Sequence, residues 1–198
     1  MSIIDSQMTE LELEVIKTGG YVKDNLANLM SFIKDPQDSH QETAQEFYDV
    51  VKMYCRGVEN RCVKILIHQQ PVARDLRRIK AIMNIIIDYQ RIADQALHII
   101  RTGVNLSKME LVWKMAEKAN TMVEKAITAF LKGDQPAAKL VVEGDDEVDK
   151  LFLQIKHDLI GRIRQGTTND DDWIIDCLLS IKYLERIGDH AVNIAKEV

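Results

Sequence analysis

The sequence predicts an all-α protein built as two three-helix bundles. Three observations carry that expectation. Apolar residues recur at spacings of three and four along nearly the whole chain, and no stretch alternates convincingly with a period of two. Hydrophobic residues make up 46% of the chain and aromatics only 6%; Gly and Pro number 9 and 3, so chain breakers are few and helix formers dominate. Finally, QRIADQALHI at 90–99 falls on ERIGDHAVNI at 185–194 at an offset of 95, with five of ten positions identical. An internal duplication is the economical reading of that match.

Breakers divide the chain into six segments. The first runs from about Gln7 to Lys34 and stops at Asp35-Pro36. The second covers about His40 to Gln70, after which Pro71 is expected to open the third at its first turn, where a missing N–H does no harm. Gly103 closes the third near residue 102. The fourth runs from about Leu106 to Lys132 and ends at Gly133-Asp134; the fifth runs from Pro136 to about Arg164. The stretch from Gly166 to Asp170 then supplies N-caps for the sixth, which begins near Asp170. The repeat divides the chain into a first bundle over 1–104 and a second over 105–198.

Composition narrows the function classes. A net charge of −5 without any long basic run argues against a nucleic-acid partner. No window approaches the ~18 consecutive apolar residues of a membrane span, and AIMNIII at 81–87 is far too short. The opening MSIIDSQMTE has neither a basic start nor a cleavage site, so nothing marks the chain for export. Three cysteines, Cys55, Cys62 and Cys177, form an odd set that fits a reducing cytoplasm. Cys55 and Cys62 share one helix face and read as small core residues.

Acids interrupt the inner stripes of two helices. The sixth helix presents Ile174, Leu178, Ile181, Glu185, Gly188, Val192 and Ala195 along one seam, with Asp189 a turn beyond Glu185. The fifth presents Val141, Asp145, Val148, Phe152, Ile155 and Leu159, with Asp149 a turn beyond Asp145. Facing carboxylates repel and are costly to desolvate. Protonation, neighbouring cations such as Lys182 and Arg186, or a bound metal would each relieve that cost. Carboxylates one turn apart on facing helices suit hard, oxygen-loving cations. From these residues alone, a metal site and a salt-bridged edge both remain open.

Other motifs carry less. Gly161 to Thr168 imitates a phosphate loop but lacks the Lys before the hydroxyl residue and follows a helix. The five His do not pair at helical spacing, and His190, beside Asp189, reads either as a group supporting that acid or, more simply, as an exposed side chain. Arg74, Arg77, Arg78 and Lys80 form the strongest basic patch, either a solvated helix face or a contact surface for an acidic partner. Arg91 and Arg186 recur beside the acids in both repeats and read as balancing their charge.

The stretch YLERIGDHAVNIA from Tyr183 to Ala195 resembles the signature of the PhoU family of bacterial phosphate-transport regulators. DDEVD at 145–149 is similar to the companion motif on the preceding helix, and QQPVARDLR at 69–77 to the family's entry into its third helix. The resemblance covers essentially the whole chain. It implies two three-helix bundles packed side by side, and metal clusters of iron, manganese, magnesium or zinc on acid-x-x-x-acid motifs. It also implies a cytoplasmic adaptor, a homodimer, that ties the ATPase subunit of a phosphate ABC importer to a sensor histidine kinase. Such an adaptor represses the phosphate-starvation response and meets the membrane only through its partners.

By that resemblance Asp145, Asp149, Glu185 and Asp189 are the ligands of the second bundle. The first bundle departs from the pattern. Gln90 stands where the second repeat has Glu185, although Asp94 is kept. On the second helix one alignment offers Arg56 and Asn60, the other Cys55 and Glu59, and neither gives an acidic pair. A first site on Asp94 and Glu59 is therefore expected to be weakened or lost. Two alternatives to the adaptor stand beside it: a metal-dependent enzyme working through the acidic cluster, and a metal-free helical scaffold. The enzyme has little to support it, since the chain offers no nucleophile beside a base, no His ligand set and no glycine-rich loop.

Overall fold

A computed structural model describes residues 3–166 and 171–198. It contains six helices in chain order: α1 (Ile3–Lys34), α2 (Asp38–His68), α3 (Ala73–Thr102), α4 (Glu110–Lys132), α5 (Gln135–Gln165) and α6 (Asp171–Lys196). The described residues contain no strand. Helices α1, α2 and α3 pack together, as do α4, α5 and α6, and the halves join through α3 against α6 and α1 against α4. A single continuous apolar core runs through both halves.

The burial pattern follows from that placement. The inner helices α3 and α6 carry 14 and 11 buried residues, against 6 and 5 on the outer α2 and α5. A helix with neighbours on several sides needs an apolar surface most of the way round, whereas an outer helix needs a single stripe. Contacts between Asn84 and Glu197, Asp88 and His190, and His98 and Tyr183 run in opposite senses along the two chains, so α3 and α6 are antiparallel.

Two helix starts differ from expectation. Pro71 does not sit in the first turn of α3; Val72 is the N-cap and the helix begins at Ala73. Gln69, the C-cap of α2, and Val72 are both extended, so the chain runs through Pro71 as a short extended link between the two helices. The fourth helix begins at Glu110 rather than near Leu106. Leu106 is buried, 1% exposed, so its apolar signal was real, but it anchors a loop. A turn there is closed by the Met109 N–H on the Leu106 carbonyl and by Asn105 accepting from Ser107. The helix ends match better. Gly103 and Gly133 cap α3 and α4 at φ of 67° and 64°, a region L side chains avoid. The N-caps expected for α6 on 167–170 lie outside the described residues.

Candidate metal centre between α5 and α6

The buried stripe of α6 is Ile174, Cys177, Ile181, Leu184, Gly188, Ala191 and Ala195, a repeat of alternating three and four. Leu178, expected on the seam, is instead 39% exposed. Because α6 packs against α3, α4 and α5 together, its buried face is turned from the stripe that a single partner would select. Glu185 lies on the flank of that face, and its side chain keeps 16% exposure.

Across from it, α5 buries Val141, Val148, Ile155 and Leu159 and leaves Asp145 half-buried. Gly188 makes the close approach possible. A Cβ there would lie 3.3 Å from Asp145 Oδ1 and 3.5 Å from Val148 Cγ1. Asp149 and Asp189 complete the group from exposed positions on the rim. The structure thus brings all four acids within mutual electrostatic reach, two on the inner flank and two outside.

The electrostatics show the cost. Burial, then Asp149, Asp189, Glu185 and Asp146, push the Asp145 carboxyl up from 3.8 to about 6. Asp189 is also raised, by burial of its carboxyl and by Glu185; Asp149 adds to the rise, and Lys182 and His190 oppose it. One cation is at hand: Lys182 Nζ lies 2.5 Å from Glu185 Oε2 and 5.3 Å above the Phe152 ring. That Oε2 is buried and the contact lacks hydrogen-bond geometry, so the lysine supplies charge without fully satisfying the oxygen. Among the described residues Lys182 is the one cation in ion-pair contact with these acids, and Arg91, Arg186 and Lys196 line the same space as Asp145 and Asp189 without reaching them, so the cluster is only partly compensated.

These residues fit a hard cation. They offer only oxygen donors, their charge is only partly compensated, and one buried carboxylate oxygen, Glu185 Oε2, has the Lys182 ammonium beside it but no hydrogen bond of good geometry. Among the described residues, no three acidic, His or Cys side chains converge on one point at ligating distance. Asp149 and Asp189 stand on the exposed rim of the group.

The first half differs. Gln90 is half-buried in the position that Glu185 holds in the repeat, Asp94 Oδ1 lies 3.7 Å from His98 Nε2, and Glu59 is exposed. Cys55 and Cys62 are buried, their thiols pushed up to about 12 and about 11 mainly by burial. Of the basic patch, Arg74 and Arg77 are exposed, while Arg78 is committed to the fold. Its Nε donates to Glu12 at 3.1 Å and its guanidinium lies 4.1 Å above the Phe130 ring.

Two sequence expectations are corrected here. His190 is not exposed. Its Nδ1 lies 2.8 Å from Asp88 Oδ1 with 19% side-chain exposure, and Asn193 Nδ2 donates to the same oxygen at 3.2 Å. This joint across α3 and α6 was detectable only as polar departures between the repeats: Asp88 against Tyr183, Gln95 against His190, His98 against Asn193. Nor do Arg91 and Arg186 balance the acids, since neither reaches a carboxylate at ion-pair distance among the described residues.

Fold and cluster together define a class: an all-α repeat protein in which two three-helix halves share a core and acids gather where α5 meets α6. A family model described as the PhoU domain matches residues 15–102 and again 112–198. The chain belongs to the PhoU family. It is 25% identical to a phosphate-specific transport system accessory protein homolog of Clostridium acetobutylicum, over 98% of this chain and 91% of that one. A homolog of the same description from Pseudomonas aeruginosa is 28% identical over 98% and 84%. The crystal structure of PhoU from Pseudomonas aeruginosa superposes with a TM-score of 0.90 at 25% identity, covering 98% of this chain and 95% of that one. The Streptococcus pneumoniae phosphate transport system regulatory protein shares the fold, with a TM-score of 0.89 at 19% identity, over 98% and 94%.

Proposed function

We propose that this chain is a cytoplasmic regulator of phosphate uptake, an adaptor docking on the ATPase subunit of a phosphate ABC importer and on a sensor histidine kinase, which represses the starvation response. Family membership across both halves supports the regulatory role, as do relatives named as accessory proteins of a phosphate-specific transport system. The observation that carries the metal part is the partly compensated acid cluster, with Asp145 held near 6 by burial and then by its acidic neighbours. Asp145, Asp149, Glu185 and Asp189 would hold the ion, one of iron, manganese, magnesium or zinc. Its chemistry there is charge neutralisation that clamps α5 to α6.

The chain's own residues do the rest of the work. The clamp rigidifies the second half, and exposed side chains such as Arg74 and Arg77 remain available for acidic partner surfaces. No described helix is long and apolar enough to cross a membrane, which fits contact through partners. Deleting the gene should derepress the phosphate-starvation response, and the wild-type chain should restore repression. A pull-down with the importer ATPase, comparing wild type with Asp189→Ala, tests the link between metal and docking. Unaltered regulation in the deletion strain would remove the proposal. Phosphoester hydrolysis by metal-loaded protein, abolished by Glu185→Gln, would replace it with an enzyme.

A further inference from the structure

A cavity of about 530 Å³ lies where α3, α5 and α6 meet, and its lining is unusual in charge. Arg91 from α3 and Arg186 and Lys196 from α6 line it, and none pairs with a carboxylate at ion-pair distance among the described residues. Arg91 and Arg186 occupy the same position of the two repeats, so the packing of the halves delivers both guanidinium groups to one space. Unpaired cations gathered in a concave polar site attract anions, and guanidinium matches the oxygens of a tetrahedral oxyanion in paired hydrogen bonds.

The cavity also presents acceptors. Asp145 and Asp189 line it beside the cations. So does Gln95, which is only 5% exposed and whose Oε1 is buried without a hydrogen-bond partner. A site of donors alone takes any anion. Acceptors set among the donors penalise a fully ionised one, because their lone pairs then face its oxygens with no proton between them. An anion that carries its own O–H satisfies both kinds of group. At neutral pH hydrogen phosphate has such a proton and sulfate has none.

We propose that this cavity binds a protonated tetrahedral oxyanion of the hydrogen phosphate type, free or as the terminal group of a phosphate monoester. Its oxygens accept from Arg91, Arg186 and Lys196, and its O–H donates to Gln95 Oε1, the buried acceptor that is outside the set of acids assigned to the cation. Sites built to bond a hydroxyl reject analogues that lack it far more strongly than sites that discriminate by size. The proposal deepens the regulatory reading above and rests on it for physiological meaning, whereas its chemistry stands on the cavity.

Calorimetric titration of the full chain with inorganic phosphate, glycerol 3-phosphate and sulfate tests it. Phosphate or the monoester should bind saturably, with sulfate at least about tenfold weaker. Arg91→Ala and Arg186→Ala should each weaken binding about tenfold or more, the equivalent of ~1.4 kcal/mol. Both arginines are exposed, so thermal melts of these variants should match wild type, and Lys64→Ala on α2 should bind as wild type. Tighter binding of the inorganic ion identifies the free anion as ligand; tighter binding of the monoester identifies a phosphoryl group on a larger molecule. No saturable binding of either, sulfate bound as well as phosphate, or arginine variants indistinguishable from wild type would each overturn the proposal. A deletion strain that loses repression while the pure chain ignores phosphate would sink the cavity alone; a chain that binds phosphate while deletion changes nothing would sink the regulatory role alone.

Discussion

Replacing Asp145 by Asn removes one negative charge from the cluster and leaves the side chain's shape nearly unchanged beside Gly188. In the folded chain this carboxyl titrates near 6 rather than 3.8. A group raised in this way binds its proton more tightly folded than unfolded, so its contribution favours folding at low pH and is lost as pH climbs between those two values. The gap from 3.8 to about 6 is worth at most roughly 3 kcal/mol. Solvent at a half-buried carboxyl screens this to about 1 kcal/mol. Urea denaturation in chelator should therefore find Asp145→Asn equal to wild type near pH 4 and about 1 kcal/mol more stable above pH 7. Added manganese should reverse the order, because an ion at a hundred times its dissociation constant stabilises wild type by ~2.7 kcal/mol and the neutral amide binds it poorly. A metal-free variant less stable than wild type at high pH, or a difference that ignores pH, would refute the electrostatic reasoning. Wild type unmoved by any of the four metals would refute the cation.

Three further outcomes are expected. Gln90→Glu restores an acid in the first half beside Asp94, and elemental analysis should find more metal per chain than in wild type; an unchanged ratio would count against a weakened first site. Gly19→Ala brings a Cβ to 3.0 Å from the hydroxyl of fully buried Tyr89 and 3.2 Å from Ile127 Cγ2. Overpacking of ~1–3 kcal/mol should outweigh the helix gain of up to ~1 kcal/mol, and a melting temperature at or above wild type would contradict this. Cys55 and Cys62, buried and held well above their ordinary range, should resist a thiol reagent at pH 8 until denaturant is added.

Helix number, helix ends and the duplication were legible because each is written locally. Period, capping glycine and recurrence at an offset of 95 need no knowledge of neighbours. The acid pairs on α5 and α6 were legible for the same reason, since i and i+4 share a face in any helix. Leu106 shows the limit of such signals: it is buried, but an apolar residue pinned in a loop looks the same as the first turn of a helix.

The chain's local order thus determined six helices in two related halves and set four carboxylates on the facing helices. The tertiary structure decided how each helix is rotated, and so which of those acids lie inward and which stand on the rim. It also joined Asp88 to His190 across more than a hundred residues and left Arg91 and Arg186 at one cavity with no ion pair among the described residues. Periodicity defines a stripe on one rod. Only the number and direction of the rods packed against it establish which part of that stripe meets solvent, a partner or a charge.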